Sequence, residues 1–188
     1  DNSGAGFLDA MSANGGNSDG IAISNGDHNR VEHCAAYRNS DDGIDTWRGT
    51  NTYVGYSIAA QNGVGGGNGN GFKAGGIAPS RATLVERSLA YQNKQNGFDV
   101  NSGIDVRLRY NTAWGNGRAG YFTYGSTVTK ACIASTNGRP VIGGGSFEDN
   151  SWQRAGTVNF VSIDPSFSNF LVPTPESEMA DIGAFGVQ

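Results

Sequence analysis

Residues 36–46 read Ala-Tyr-Arg-Asn-Ser-Asp-Asp-Gly-Ile-Asp-Thr, and this stretch contains both halves of a repeat that runs through most of the chain. The first half ends in Asn39, three positions after an alanine. The second half places Gly43 between a polar residue and a large apolar residue. Internal repeats are sought before helices and strands because they decide the architecture of the whole chain.

The glycine half recurs at Ala5-Gly6-Phe7, Asp19-Gly20-Ile21, Asp42-Gly43-Ile44, Asn70-Gly71-Phe72, Asn96-Gly97-Phe98 and Ala119-Gly120-Tyr121. From Gly20 onward, these glycines step by 23, 28, 26 and 23 residues. The asparagine half recurs at Asn39, Asn62, Asn93 and Asn116, with Asn14 and Asn137 as outer members. Two motifs that recur together in a fixed order indicate a true structural repeat.

A period of this length fits either a leucine-rich repeat or one coil of a β-helix. Leucine is scarce in this chain, and short alternating stretches such as residues 43–47 and 83–86 are separated by Gly, Asn and Ser. Alternation indicates strands, and no window has the spacing of an amphipathic helix. The sequence therefore predicts an all-β fold, a right-handed parallel β-helix of about six coils.

Stacked coils align equivalent residues in files along the solenoid axis. We predict one interior apolar file, made of Ile21, Ile44, Phe72, Phe98 and Tyr121. We also predict a ladder of side-chain amide hydrogen bonds, made of Asn39, Asn62, Asn93 and Asn116. For these asparagines we expect a structural role.

The repeat fades near residue 138. We expect one domain, with β-helix coils over residues 1–138 and a C-terminal cap region over residues 139–188 that contains prolines and covers the last open coil. Cys34 and Cys132 fall in one column four coils apart, so they are too distant for a disulfide bond.

Charged residues stack on the outer face of this repeat. Counting from each glycine predicts one outward file of Ala22, Asp45, Lys73, Asp99 and Phe122, and a neighbouring file of Asp19, Asp42, Asn70, Asn96 and Ala119. Adjacent strands lie about 4.8 Å apart. We therefore expect Lys73 to lie one coil from Asp45 and one coil from Asp99.

Four carboxylates, those of Asp19, Asp41, Asp42 and Asp45, are thus expected to converge beside one amine. Such carboxylates repel one another unless a cation or a proton neutralises them. Ca²⁺ fits best, because Mg²⁺ prefers fewer carboxylates and Zn²⁺ prefers His or Cys ligands. A solvated acidic turn is the alternative, since Asp-Gly is common in turns.

Residues 39–45 (Asn-Ser-Asp-Asp-Gly-Ile-Asp) and 68–76 (Asn-Gly-Asn-Gly-Phe-Lys-Ala-Gly-Gly) together resemble the active-site segments of family 9 polysaccharide lyases, which include calcium-dependent pectate lyases. The resemblance implies that Asp41, Asp42 and Asp45 bind catalytic Ca²⁺ and that Lys73 is the base. Asp19 is the candidate for a fourth ligand.

The resemblance further implies that an acidic polysaccharide, such as polygalacturonate, is cleaved by β-elimination. A lysine with the ordinary pKa of about 10.4 needs help to lose its proton. Asp99 would oppose that loss, so we expect it to pair with Lys73 or to orient substrate or water. For binding the anionic polymer we consider Arg48, Arg81, Arg107 and Arg109, and for stacking on sugars Trp47 and Trp114.

Composition excludes several other classes of function. A net charge of −4 and a pI near 5.0 argue against a nucleic-acid partner, and no apolar run is long enough for a membrane helix. We expect a secreted or extracellular monomer, although the chain carries no leader peptide at its start. His28 and His33 lie five positions apart and are expected on opposite faces of a strand.

Two alternative functions share this fold. One is a non-catalytic carbohydrate-binding or tailspike-like β-helix module in which the aspartates hold a structural calcium ion. The other is a hydrolase of the polygalacturonase type, which needs a carboxylic acid and a carboxylate on opposite sides of the bond that it cleaves. In that hydrolase Lys73 would have no role.

Overall fold

A computed structural model describes residues 16–186, and over this range the chain forms a right-handed parallel β-helix. The first sheet consists of β1 (Ile21–Ala22), β4 (Ile44–Asp45), β7 (Phe72–Lys73), β10 (Asn96–Asp99), β13 (Ala119–Thr123) and β16 (Val141–Gly143). The repeated glycine motif lies at or just before each of these strands up to β13. Ala5-Gly6-Phe7 and Asn14 lie outside the described residues.

Each coil contributes a strand to a second sheet, and all coils but the last contribute one to a third. The second sheet consists of β2 (Arg30–Glu32), β5 (Tyr53–Gly55), β8 (Leu84–Glu86), β11 (Arg107–Arg109), β14 (Val128–Lys130) and β17 (Ser146–Glu148). The third consists of β3 (Ala35–Tyr37), β6 (Ile58–Ala60), β9 (Leu89–Tyr91), β12 (Thr112–Trp114) and β15 (Ile133–Ser135). Because β16 and β17 pair with β13 and β14, the coils continue past residue 138, where the sequence analysis placed their end.

The predicted interior file on the first sheet is confirmed. Ile21, Ile44, Phe72, Phe98 and Tyr121 follow one another in register. The rings of Phe72 and Phe98 stack at 4.9 Å, and those of Phe98 and Tyr121 stack at 5.0 Å. From the third sheet the core receives Ala36, Ala59, Ala90 and Ala113, which are small enough to face these rings.

The asparagine ladder is confirmed at the turn after the third sheet. The amide nitrogens of Asn39, Asn62, Asn93 and Asn116 each donate to the side-chain oxygen of the next asparagine, at 2.8 to 2.9 Å. The ladder ends on Asn137. The backbone amide of each rung donates to the same oxygen, so the ladder fixes the turn as well as the spacing of the coils.

A second ladder at the turn between the second and third sheets contains both cysteines. Its members are Cys34, Ser57, Ser88, Asn111, Cys132 and Asn150, linked through backbone amides that bond to the next side chain. Both cysteines are buried and free, and their shared column agrees with the sequence analysis. The residue before each of Cys34, Ser57, Ser88, Asn111 and Cys132 has positive φ, which gives the chain its sharp bend there.

The C-terminal region covers the side of the solenoid as well as its end. Trp152 packs against Tyr121 and Phe147 of the last coils, with ring centroids 5.2 and 6.0 Å apart. Farther along, Phe170 packs edge-on against Tyr91 and Trp114 on the outer face of the third sheet. Trp114, a candidate for sugar stacking, is therefore engaged in packing within the protein.

Candidate active site

The outer face of the first sheet brings together the amine and two of the acids that the repeat predicts. The Lys73 Nζ lies 3.0 Å from Asp42 Oδ2 and 3.0 Å from Asp45 Oδ2. Asp45 pairs with Lys73 in the backbone register of β4 and β7, which is the predicted one-coil step. Asp42 and Asp45 are 0% and 3% exposed. They lie on the outer face of the sheet as predicted, but neighbouring residues cover them almost completely.

Asp42 is held by a mixed ladder of acids and amides, which parallels the asparagine ladder. Its backbone amide donates to Asp19 Oδ1 at 3.0 Å, while its Oδ1 accepts from the backbone and side-chain amides of Asn70 at 2.7 and 2.9 Å. Asn96 bonds to Asn70 in the same way. One oxygen of Asp42 is thus fixed in the scaffold, and the other faces Lys73.

Asp41 has a different environment. Its Oδ1 accepts from the backbone amides of Asn68 and Gly69, in the glycine-rich loop that lengthens this coil. Gly67 of the same loop lies against Asp41, where a side chain could not fit, and Lys94 Nζ donates to the Gly67 carbonyl at 3.0 Å. The loop is therefore fastened over the acidic cluster.

Carboxylate oxygens of Asp19, Asp42 and Asp45 lie within 4.8 Å of one another, and this group could hold a metal ion. Asp41, the remaining predicted ligand, is not part of this group. The donor set is all oxygen, which suits Ca²⁺. Asp45 Oδ1 is buried and has no hydrogen-bond partner among the described residues, so the cluster has an unused acceptor of the kind that a cation would satisfy.

The electrostatics reflect crowded, buried acids. Burial, together with the charge of Asp42, raises the pKa of Asp19 to about 6. Burial raises the pKa of Asp45 to about 7, although the charge of Lys73 acts in the opposite direction. Burial lowers the pKa of Lys73, but Asp42 and Asp45 outweigh it and raise that pKa above its ordinary value. Without a bound cation, Lys73 is an ammonium ion that neutralises its neighbours.

Asp99 pairs with Lys73 in the register of β10 and β7, as predicted, yet Lys73 forms its ion pairs with Asp42 and Asp45 instead. The Asp99 oxygens accept from Asn96 Nδ2 at 3.0 Å and from the Asn101 backbone amide at 2.8 Å. Burial raises the pKa of Asp99. Asp99 is thus oriented by amides beside Lys73.

The candidate arginines separate into two groups. Arg48 and Arg81 are exposed in the turns that follow β4 and β7 of the first sheet, and the backbone of Arg81 pairs with that of Thr50 in an isolated bridge. Arg107 and Arg109 belong to β11 of the second sheet, so they lie on another face from Lys73. Trp47 lies two residues after Asp45, is 42% exposed and packs on Gly76, which leaves it available at the edge of the site.

Comparison with known proteins places this arrangement in a family. A family model described as "Pel9A-like, right handed beta helix region" matches residues 6–137. The chain belongs to this Pel9A-like family. Pectate lyase L of Paenibacillus polymyxa (strain SC2) is 31% identical over 182 residues, covering 86% of this chain and 40% of that protein. Pectate lyase L of Dickeya chrysanthemi is 32% identical over 161 residues, covering 76% and 37%.

Two solved structures have the same fold. The crystal structure of pectate lyase Pel9A superposes with a TM-score of 0.74 at 26% identity, covering 91% of this chain and 50% of that one. A rhamnogalacturonan lyase superposes with a TM-score of 0.75 at 22% identity, covering 91% and 56%. The chain spans about 40% of the curated relatives' length. Within residues 16–186, no helix has the length and apolarity needed to cross a membrane.

Proposed function

We propose that this chain carries the catalytic site of a polysaccharide lyase that cleaves pectate, a polymer of galacturonate, by β-elimination. The observation that carries the proposal is the contact of Lys73 Nζ with Asp42 and Asp45, at 3.0 Å each, on the β-helix of a Pel9A-like protein. The relatives named pectate lyase support pectate as the substrate.

In this proposal Lys73 is the base that removes the proton from C5 of a galacturonate unit. The electron pair of that C–H bond forms the C4–C5 double bond, and the C4–O bond breaks. The departing sugar oxygen takes up a proton from solvent, and no water is consumed. Lys73 is only 13% exposed, so a sugar seated over it would exclude most of the remaining water.

Asp19, Asp42 and Asp45 would hold a calcium ion, with Asp41 as a further ligand if it turns from the amides of the loop over residues 63–69. When bound, this ion would neutralise the acids and draw charge from the substrate carboxylate, which makes the C5 proton more acidic. Asp42 and Asp45 would then stabilise the ammonium form of Lys73 less, which favours a neutral amine. Pectate lies outside plant cells, so we propose that the protein acts as a secreted monomer.

The experiment is an ultraviolet assay for the unsaturated product with polygalacturonate, with and without calcium and with EDTA. We expect product formation that requires calcium and falls by at least about a hundredfold in Lys73→Ala, since loss of a positioned acid or base typically costs that much. Lys130→Ala is the matched control, because Lys130 lies in β14 of the second sheet and pairs there with Glu148. This variant should keep most of the activity.

Polymer binding without any unsaturated product, in wild type and Lys73→Ala alike, would instead identify a non-catalytic module. Reducing ends that form without ultraviolet absorbance would point to hydrolysis. Either result would overturn the proposal of a lyase.

A further inference from the structure

A cation placed over an aromatic ring lies on the same outer face as Lys73. The guanidinium carbon of Arg118 is 4.4 Å from the centroid of the Phe122 ring, and the Tyr124 ring meets Phe122 edge-on at 5.1 Å. Tyr124 is 41% exposed, and Arg118 is exposed as well. We call Arg118, Phe122 and Tyr124 the arginine–aromatic platform.

The register of the sheet fixes the distance between this platform and Lys73. Phe122 pairs with Asp99, and Asp99 pairs with Lys73. Two coils separate Phe122 from Lys73, which corresponds to about 10 Å along the solenoid axis. A polymer that lies along this outward file therefore reaches the platform if it passes over Lys73 toward the C-terminal coils.

Arg118 is free to bind an anion. Within residues 16–186 its guanidinium forms no ion pair, whereas Arg154 is held by Asp149 and Asp181 and Arg30 is held by Glu32. Contact with the Phe122 ring restricts the position of the guanidinium, and within residues 16–186 no side chain accepts a hydrogen bond from its N–H groups. A group oriented in this way loses less freedom when it forms a bidentate contact with a carboxylate.

The acid between the platform and Lys73 does not block this role. Both oxygens of Asp99 accept hydrogen bonds, one from Asn96 and one from Asn101, so the acid is already held by amide donors. On the side of Asp99 away from Lys73, the outer face therefore presents the Arg118 guanidinium beside the rings of Phe122 and Tyr124. Such a surface suits an acidic sugar, which has a carboxylate and apolar C–H groups.

We propose that the arginine–aromatic platform is a subsite for a uronate carboxylate of the polymer, on the C-terminal side of Lys73. Arg118 binds the carboxylate, and Phe122 is a positioning residue that holds the guanidinium. The proposal rests on the proposed function for the identity of the polymer. It makes Arg118 a determinant of specificity, because a methyl-esterified uronate lacks the charge that Arg118 binds.

The test compares Arg118→Ala, Arg118→Lys and Phe122→Leu with wild type on polygalacturonate and on partly methyl-esterified pectin, which keeps free carboxylates for the proposed calcium ion. For Arg118→Ala on polygalacturonate we expect KM to rise about tenfold with kcat nearly unchanged, as loss of one charge-assisted contact away from the reacting atoms predicts. On partly esterified pectin the rise in KM should be smaller, because fewer uronates at the platform carry the charge that Arg118 binds. Arg118→Lys and Phe122→Leu should lie between wild type and Arg118→Ala, since they keep the charge but lose the contact between guanidinium and ring.

The matched control is Arg87→Ala, which removes a cation from the Tyr110 ring directly after β8 of the second sheet and should leave KM unchanged. Melting temperatures verify that each variant folds. If wild type shows no elimination at all, the proposed function fails, and the platform is then tested by calorimetry with galacturonate oligomers. A tenfold weaker affinity in Arg118→Ala would support the platform there. Equal KM and equal affinity in wild type and Arg118→Ala would overturn it, even if the lyase activity stands.

Discussion

At the scale of single residues, the candidate site is a set of aspartates that the fold buries even without a ligand. Asp42 and Asp45 are almost fully covered, and Lys73 provides the positive charge that partly compensates them. Removing one partner from a buried ion pair leaves an uncompensated charge. The cluster is therefore held by the scaffold, and its charges are arranged for a cation or a proton.

Asp42→Asn separates the structural role of Asp42 from its role in metal binding. The amide oxygen can still accept the Asn70 bonds in the mixed ladder, as that of Asn70 does one coil later. Because Lys73 loses one of its two paired acids, we expect the free energy of unfolding without metal to fall by about 1 to 3 kcal/mol. The variant lacks one ligand charge, so the calcium concentration at half-saturation should rise about 10- to 100-fold. The measurement is the increase in melting temperature with calcium, since a ligand of the folded state stabilises it.

Asp105→Asn is the control for this experiment, because Asp105 is an exposed acid at a turn outside the cluster. Its calcium response should match that of wild type. A wild-type response in Asp42→Asn would mean that the acids on the first sheet do not bind the ion.

At the scale of elements, the two-residue strands β1, β4 and β7 are too short to hold a register by their own hydrogen bonds. The ladders at the turns fix the register of the coils, because backbone and side-chain amides bond each rung to the next. The longer strands β10 and β13 follow the site along the axis. The position of Lys73 relative to Asp45 therefore depends on turns as much as on strands.

Asn93→Ala tests the ladder. It removes the oxygen that accepts from the backbone and side chain of Asn62, and it leaves the buried Ala59 carbonyl without its donor. We expect a loss of about 2 to 4 kcal/mol in the free energy of unfolding, because several buried polar groups lose partners. Urea denaturation measures this change.

The neighbouring variant Gln92→Ala removes an exposed amide whose one side-chain hydrogen bond within residues 16–186 is accepted from Gln61. It should change the free energy of unfolding by less than about 0.5 kcal/mol. Equal stability of the two variants would contradict a structural role for the asparagine ladder.

At the scale of the whole molecule, the C-terminal segment closes the third sheet from outside. Leu89, Phe170 and Leu171 form a buried cluster against which Tyr91 and Trp114 pack. The three sheets are therefore not equivalent. The third is covered by the chain itself, whereas the first presents the candidate site.

Phe170→Ala should destabilise this cover. Phe170 is 8% exposed and contacts Tyr91 and Trp114. Truncation of a buried phenylalanine costs about 3 to 5 kcal/mol in cores, and we expect the lower end here because the segment lies at the surface. Limited proteolysis should then cleave residues 158–186 faster than in wild type.

Phe167→Ala is the matched control, since Phe167 lies in the same segment but is 59% exposed. Its rate of proteolysis should be close to that of wild type. Similar rates for the two variants would contradict the packing of Phe170 as the contact that holds the segment.

The sequence alone determined the fold, the interior file and the asparagine ladder, because a solenoid converts a periodic sequence directly into neighbours in space. It also predicted the one-coil steps that join Asp45, Lys73 and Asp99. Two features had a weaker signal in the sequence. One is the third strand of each coil, and the other is the ladder that contains Cys34 and Cys132, whose column mixes Cys, Ser and Asn residues.

Only the tertiary structure decided how side chains within those files are directed. The strand register predicts Asp45 and Asp99 as the neighbours of Lys73 along its file. Side-chain rotamers and turn amides determine that Lys73 forms its ion pairs with Asp42 and Asp45 and not with Asp99. Likewise, Asp41 bonds to a loop whose path the repeat does not specify, and Trp114 is covered by a segment far away in sequence. The physical reason is that periodicity fixes where backbones stack, whereas contacts between non-repeating segments depend on packing that no local pattern records.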